Sequence, residues 1–153
     1  MKYQSTKTYG NEVGLSCCFR QWRADSHCNL LHGYSLGFRF VFESNTLDER
    51  NWVYDFGDCK WIKEYLQDNF DHKLVVAKDD RALEGIKELH NGGVADVIVL
   101  DNVGCEKFAE MVYNHVAPKI QEQSKGRVSL YSVECFEHGA NSAIYVNPYG
   151  SDI

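Results

Sequence analysis

Three short stretches of this chain bring together residue types that move protons, bind metals or hold a polar ring. In Ser26-His27-Cys28-Asn29-Leu30-Leu31-His32-Gly33-Tyr34, a cysteine stands four residues before a histidine. At the start of a strand this spacing places thiol and imidazole at one site, although a buried thiol beside a hydrogen-bonded histidine gives the same pattern. The second stretch is Asp71-His72. A carboxylate beside an imidazole fixes its tautomer and raises its basicity, as a proton-transferring base requires; a surface pair is the plainer alternative. The third is Glu137, with Ala143 and Tyr145 following across a hairpin. A carboxylate there can accept two parallel hydrogen bonds from an amino-pyrimidine edge, as on a guanine-like or pterin ring. Glu134, on the opposite strand face by parity, competes for that role.

The elements that must position these residues are read from periodicity. Residues 3–9 and 13–20 suggest extended structure on either side of a turn at Gly10-Asn11. From His32 to Phe42 the even positions are His32, Tyr34, Leu36, Phe38, Phe40 and Phe42, one face of a strand. Phe56, Cys59, Ile62, Tyr65, Leu66 and Phe70 recur at helical spacing, so 57–69 reads as an amphipathic helix with Asp55 as its N-cap. Residues 78–93 read as a loop with a short helical piece ending at Gly92-Gly93, and Val94–Leu100 as a strand. Cys105, Phe108, Ala109, Val112 and Val116 define a second helix, which Pro118 is expected to kink or divide. Arg127–Phe136 and Ser142–Val146 read as a hairpin. Strands joined by hairpins, with segregated helices, give an α+β fold: an antiparallel sheet with two helices on one face. A sheet covered on one side leaves its other face or its edges to a partner, so oligomerisation is expected.

The bulk properties narrow the class. A chain of 153 residues is one domain, 1–153, large enough to bury a core without staples. The net charge of −6, with Lys and Arg scattered, argues against a nucleic-acid role. No apolar run approaches the roughly 20 residues of a membrane span, and Met1-Lys2-Tyr3-Gln4-Ser5 lacks the apolar core of a secretory signal. The six cysteines read as reduced thiols in a chain that needs no disulfide framework, which points to the cytoplasm.

The three stretches also stand in a recognisable succession. Leu15-Ser16-Cys17-Cys18-Phe19-Arg20, Cys28-x-x-x-His32-Gly33-Tyr34, Val53-Tyr54-Asp55-Phe56, Phe70-Asp71-His72-Lys73-Leu74, Glu106-Lys107-Phe108-Ala109 and Glu137-x-x-x-x-x-Ala143-x-Tyr145 follow in order. This order resembles the 6-pyruvoyltetrahydropterin synthase and 6-carboxytetrahydropterin synthase family over nearly the whole chain. The three residues between Cys28 and His32 are closer to the bacterial 6-carboxy branch, which serves queuosine and other 7-deazaguanine pathways. The resemblance implies the tunnelling fold, assembled into an oligomeric barrel, commonly a hexamer, with active sites between subunits. It implies a lyase acting on 7,8-dihydroneopterin triphosphate. By the same resemblance Cys28 is the thiolate that moves a side-chain proton, Asp71 and His72 complete the relay, Glu137 anchors the pterin, and Glu106 lies near the ring. Arg20 and Arg23 are candidates to meet the triphosphate, or are solvated surface arginines.

The departure concerns zinc, which the family holds with three histidines. Here two of those positions are Phe19 and Tyr34, and only His32 is retained. Phenylalanine cannot ligate, and a tyrosine must lose a proton of pKa about 10 to bind well. Cys17, which shares a strand face with Phe19, and His27 are the possible substitutes. Otherwise the protein is a metal-free pterin- or purine-binding protein, an aldolase-like pterin enzyme of the same fold, or a scaffold that keeps the barrel alone.

Overall fold

The computed structural model describes residues 2–149. Met1 and residues 150–153 of the expected 1–153 domain lie outside the described residues. The long strand β3, His32–Ser44, organises the rest. Its first half pairs antiparallel with β2, Leu15–Phe19, from Leu15↔Leu36 to Phe19↔His32. Its second half lies between β1, Tyr3–Tyr9, and β6, Ser129–His138, both antiparallel. The final strand β7, Asn141–Val146, extends β6 as the expected hairpin.

The even face of β3 builds the core because alternation sends every second side chain to one side. Leu36, Phe38, Phe40 and Phe42 are all fully buried. They meet two helices. In α1, Lys60–Phe70, the residues Ile62, Leu66 and Phe70 lie four apart and form one buried stripe. In α3, Cys105–Gln123, Phe108, Val112, Val116 and Ile120 do the same. Phe70 sits 5.2 Å from Phe38 and 5.0 Å from Phe108, ring centre to ring centre, so one phenylalanine joins sheet and both helices. Each such ring contributes on the order of 1.5–3 kcal/mol by burial. As expected, Asp55 caps the entry to α1, accepting from the Gly57 N–H at 2.9 Å, although a 3-10 turn at Phe56–Cys59 precedes the helix proper.

Several expectations are corrected. The sheet is mixed, not antiparallel: β4, Lys73–Ala77, pairs parallel with β2, and β5, Val97–Leu100, pairs parallel with β4. The run Lys73-Leu74-Val75-Val76-Ala77 is almost wholly buried on both faces, so it lacks the alternation that marks a strand in sequence. Among the described residues there are three α-helices, and they do not share one face. The helix α2, Leu83–Asn91, sets Ile86 against Leu74 and Val76, whereas Val75 belongs to the main core. By strand parity α2 therefore covers the opposite side of β4 from α1 and α3. Val94 is exposed and precedes β5 instead of opening it. Pro118 neither kinks nor divides α3, which runs through it to Gln123. The carbonyl it leaves without a partner belongs to exposed Asn114, where water can replace the lost hydrogen bond.

Candidate functional site

The region around Cys28 is built from the C-terminal end of β2. After Phe19 the chain turns, and a 3-10 turn at His27–Asn29 carries Cys28 on the surface. Ser26 caps that turn, its Oγ accepting from the Cys28 N–H at 3.3 Å. The Cys28 carbonyl accepts from the Gln21 N–H at 2.9 Å, and the Gln21 side chain reaches the Val103 carbonyl at 3.4 Å just ahead of α3. Arg20 braces the same turn from below. It donates to both oxygens of Asp80, at 2.9 and 2.8 Å, and to the Asn29 carbonyl at 2.9 Å. This bidentate pair holds the Asp80 carboxyl below its usual range. Asp80 carries no signal in the sequence, because it lies in a loop and meets Arg20 only in the fold.

Two further elements bring carboxylates to this end of the sheet. Glu137 sits in a break of the β6–β7 register, between Phe136↔Ser142 and His138↔Asn141, where an extra residue re-aims a side chain. It is half-buried, and Asn141 Nδ2 donates to it at 3.5 Å. Glu134 is otherwise engaged, accepting from the Ser142 hydroxyl at 2.7 Å. Glu106 lies exposed in the first turn of α3, whose cap is Gly104 at φ 109°. That positive φ is what calls for glycine here, since a Cβ would otherwise meet only the movable end of the Gln21 side chain.

Tyr34 joins these groups. Burial pushes its phenol above the ordinary value, and the neighbouring Glu137 carboxylate adds to the rise. The ring is half-buried and stacks on Phe19 at 4.6 Å and 23°. Sequence reasoning took Tyr34 only as a lost histidine; its proximity to Cys28 and Glu137 is a product of the fold. Cys17, directly across the strand pair from Tyr34, is buried and its thiol is pushed up to about 12 by that burial. Cys135 is fully buried, hydrogen-bonded to Cys105 at the start of α3, and held well above the usual thiol range. Of the six cysteines, all free, only Cys28 is exposed.

Asp71 and His72 lie elsewhere. Helix α1 ends at Phe70, Asp71 turns extended, and His72 takes a left-handed φ of 57° before β4 begins. The two side chains do meet: His72 Nδ1 is 2.8 Å from Asp71 Oδ1, which leaves Nε2 facing outward. The His72 N–H donates to the Ser16 carbonyl at 2.7 Å, at the N-terminal end of β2. Cys28 is tied to Gln21, beyond the other end. Five residues of extended chain separate these anchors by roughly 15 Å. Within one chain, then, Cys28, Tyr34 and Glu137 lie toward one end of the sheet, and the Asp71–His72 pair is anchored at the other end of β2.

The arginines expected at an anion are largely committed, Arg20 to Asp80 and Arg23 to Asp79 at 2.8 Å. Beside the Cys28 turn they nonetheless line a cavity of about 740 Å³ with Trp22, Asn29 and Arg81. Arg81 lies over the Trp22 ring at 5.4 Å and has no carboxylate partner among the described residues.

The residues present do not fit a zinc ion. Phe19 is 3% exposed, with the Tyr34 ring on one side and Phe108 at 5.1 Å. Two carbon rings therefore fill the space where two donors are needed. His32 directs Nδ1 at the Leu30 carbonyl, 2.7 Å away, leaving one nitrogen free. The His27 ring is 6.0 Å from that of His32, and Cys17 is held as a protonated thiol. Among the described residues no three His, Cys, Asp or Glu side chains converge as a metal would need.

Comparison with known proteins supplies the wider context. The sequence model described as PTPS, 6-pyruvoyl tetrahydropterin synthase, matches residues 10–148. Curated relatives named 6-carboxy-5,6,7,8-tetrahydropterin synthase include one from Rickettsia bellii, 29% identical over 111 residues, covering 72% of this chain and 78% of that one. Another, from Aquifex aeolicus, is 23% identical over 95% of this chain and 98% of its own. Among solved structures, an uncharacterized protein of Wolinella succinogenes superposes with a TM-score of 0.82 at 19% identity, over 96% of this chain and 99% of that chain. The 6-pyruvoyl tetrahydropterin synthase of Plasmodium vivax does so at 0.65 and 12% identity, over 95% and 97%. The family match spans the β2 end, the Asp71–His72 pair and the Glu137 bulge alike, and the chain belongs to the 6-pyruvoyl tetrahydropterin synthase family.

Proposed function

We propose that the protein is a lyase of the 6-carboxytetrahydropterin synthase type, acting on 7,8-dihydroneopterin triphosphate within 7-deazaguanine biosynthesis. The observation that carries this reading is the placement of Glu137, Tyr34 and the exposed Cys28 toward the same end of the sheet. Glu137 accepts two hydrogen bonds from the amino-pyrimidine edge of the ring. The Cys28 thiolate, the accessible one of the six thiols, takes a proton from the substrate's side chain. The cavity under Trp22 offers Arg81 to a phosphate-bearing tail, with Arg23 beside it. His72, its tautomer fixed by Asp71, moves a proton at Nε2.

Because His72 lies about 15 Å from the Cys28 turn along β2, the relay is completed by a second copy of the chain. The open edges support such an assembly: β1 pairs only with β3, and β7 only with β6, among the described residues. Pairing these edges between copies closes a barrel and removes both exposed strands.

Glu137→Gln is expected to weaken binding of a pterin by about 10- to 100-fold in calorimetry, since a charge-assisted pair is lost. Unchanged affinity would reject the ring anchor. A second reading, a pterin- or purine-binding protein or an aldolase-like enzyme, is favoured by the missing metal donors at Phe19 and Tyr34. Release of triphosphate and a carbon fragment from the substrate separates the lyase from the binder.

A further inference from the structure

We infer that this site works without a resident metal ion, and that the Tyr34 hydroxyl donates the hydrogen bond that holds an oxygen of the substrate's side chain. The inference rests on the reading in which Glu137 holds the ring.

Three observations lead to it. The Phe19–Tyr34 pair is a single packed unit, with ring centres 4.6 Å apart and Phe19 also set edge-on against Phe108 at 5.1 Å. A rotamer change at Phe19 brings in no donor, because there is none on the side chain. The register places Phe19 opposite His32 and Cys17 opposite Tyr34, so these four residues form one patch on the face that meets Glu137. Within that patch Cys17 is buried and His32 has committed Nδ1 to a carbonyl. The polar groups of the patch left to meet a ligand are the second ring nitrogen of His32 and the Tyr34 hydroxyl, and of the two rings it is Tyr34 that Phe19 holds in a stack.

The ring is fixed on one face by Phe19, so the hydroxyl is held in place before substrate arrives. A preorganised neutral donor of this kind steadies charge developing on oxygen without reorganisation during the reaction. It gives less polarisation than a divalent ion, and it asks only that the substrate present a side-chain oxygen while the Glu137-bound ring is in place. The ligand is accordingly one whose side-chain oxygen reaches that hydroxyl while its ring is held by Glu137.

The test combines metal counting with kinetics on the full chain. Wild-type protein is dialysed against excess zinc, freed of loose metal by gel filtration and measured by elemental analysis; substoichiometric zinc is expected. The double variant Phe19→His/Tyr34→His, which restores three imidazoles with His32, is expected to retain about one zinc per chain. Should that variant fail to fold, the wild-type count still decides. Tyr34→Phe, which preserves the stack, is expected to lower kcat by about 10- to 1,000-fold with little change in KM, pterin affinity or melting temperature. Wild-type protein holding about one zinc per chain, with turnover lost to a chelator, overturns the metal-free assignment. An unchanged kcat in Tyr34→Phe overturns the role of the hydroxyl. Absence of pterin binding in the wild type, with Glu137→Gln indistinguishable from it, overturns the ring-site reading itself.

Discussion

At the C-terminal end of β2, Phe19 is 3% exposed and locked between Tyr34 and Phe108. At its N-terminal end the His72 side chain is 83% exposed, and its ring is steadied by Asp71 alone. The first end is braced within one chain: aromatic packing, the Arg20–Asp80 pair and the Gln21 link to α3 support the turn that carries Cys28. The second presents a base with its free nitrogen aimed away from its own chain. Under the proposed relay the two ends have different needs: the first rests on the core of its own chain, the second on a neighbouring copy. Substitutions at the two ends should therefore fail differently.

The largest effect is expected on turnover. Cys28→Ala and His72→Ala should each lose about 100- to 10,000-fold in kcat, the usual worth of a positioned acid or base. Neither should move stability by more than about 0.5 kcal/mol, because both side chains are exposed. Mixing the two inactive variants under conditions that exchange subunits should then restore part of the activity, since some sites would receive an intact Cys28 and an intact His72. No recovery on mixing, with exchange shown independently, would place both residues in one chain's site and erase the contrast.

Phe19→Ala tests the other end. Removing a ring buried between two others should cost about 3–5 kcal/mol in urea denaturation. A cost below about 1 kcal/mol would mean that the stack is not a packed unit.

The same contrast explains what the sequence disclosed. The strand from His32 was legible because Leu36, Phe38, Phe40 and Phe42 alternate with polar or small residues, and α1 because Ile62, Leu66 and Phe70 repeat at helical spacing. Those signals are local, and the core they build is the part of the fold read correctly. The parallel strands were not legible as such. Lys73–Ala77 is buried on both faces, so no alternation survives, and its partners lie far away in the sequence. Cys28, His72 and Glu137 were identified from their order along the chain, but order carries no distances. That Asp71 and His72 touch each other and stand apart from Cys28 depends on how β2 separates them. Tyr34 was read only as a changed zinc position for a related reason: its stacking partner Phe19 lies across the strand pair and Glu137 on β6, neither of which is near it in sequence.

The smallest effect concerns the brace below the Cys28 turn, and its pH dependence gives it a distinct signature. The Asp80 side chain is 1% exposed and takes two hydrogen bonds from Arg20, so its carboxyl is held below the usual range. A depressed carboxyl contributes stability that is present above its unfolded pKa, about 3.9, and is lost as pH falls through its folded value. Asp80→Asn should therefore destabilise by about 1–3 kcal/mol near pH 6, and the gap from wild type should close as the pH is lowered below about 4. Denaturant titrations of both proteins across that range measure the gap directly. A difference that stays constant with pH would assign the loss to packing and leave Arg20 without its electrostatic role. If the gap closes as expected, the same titration followed by alkylation of Cys28 should show faster modification in the variant. The Asn29 carbonyl that Arg20 holds is next to that thiol, and a loosened turn exposes it more often.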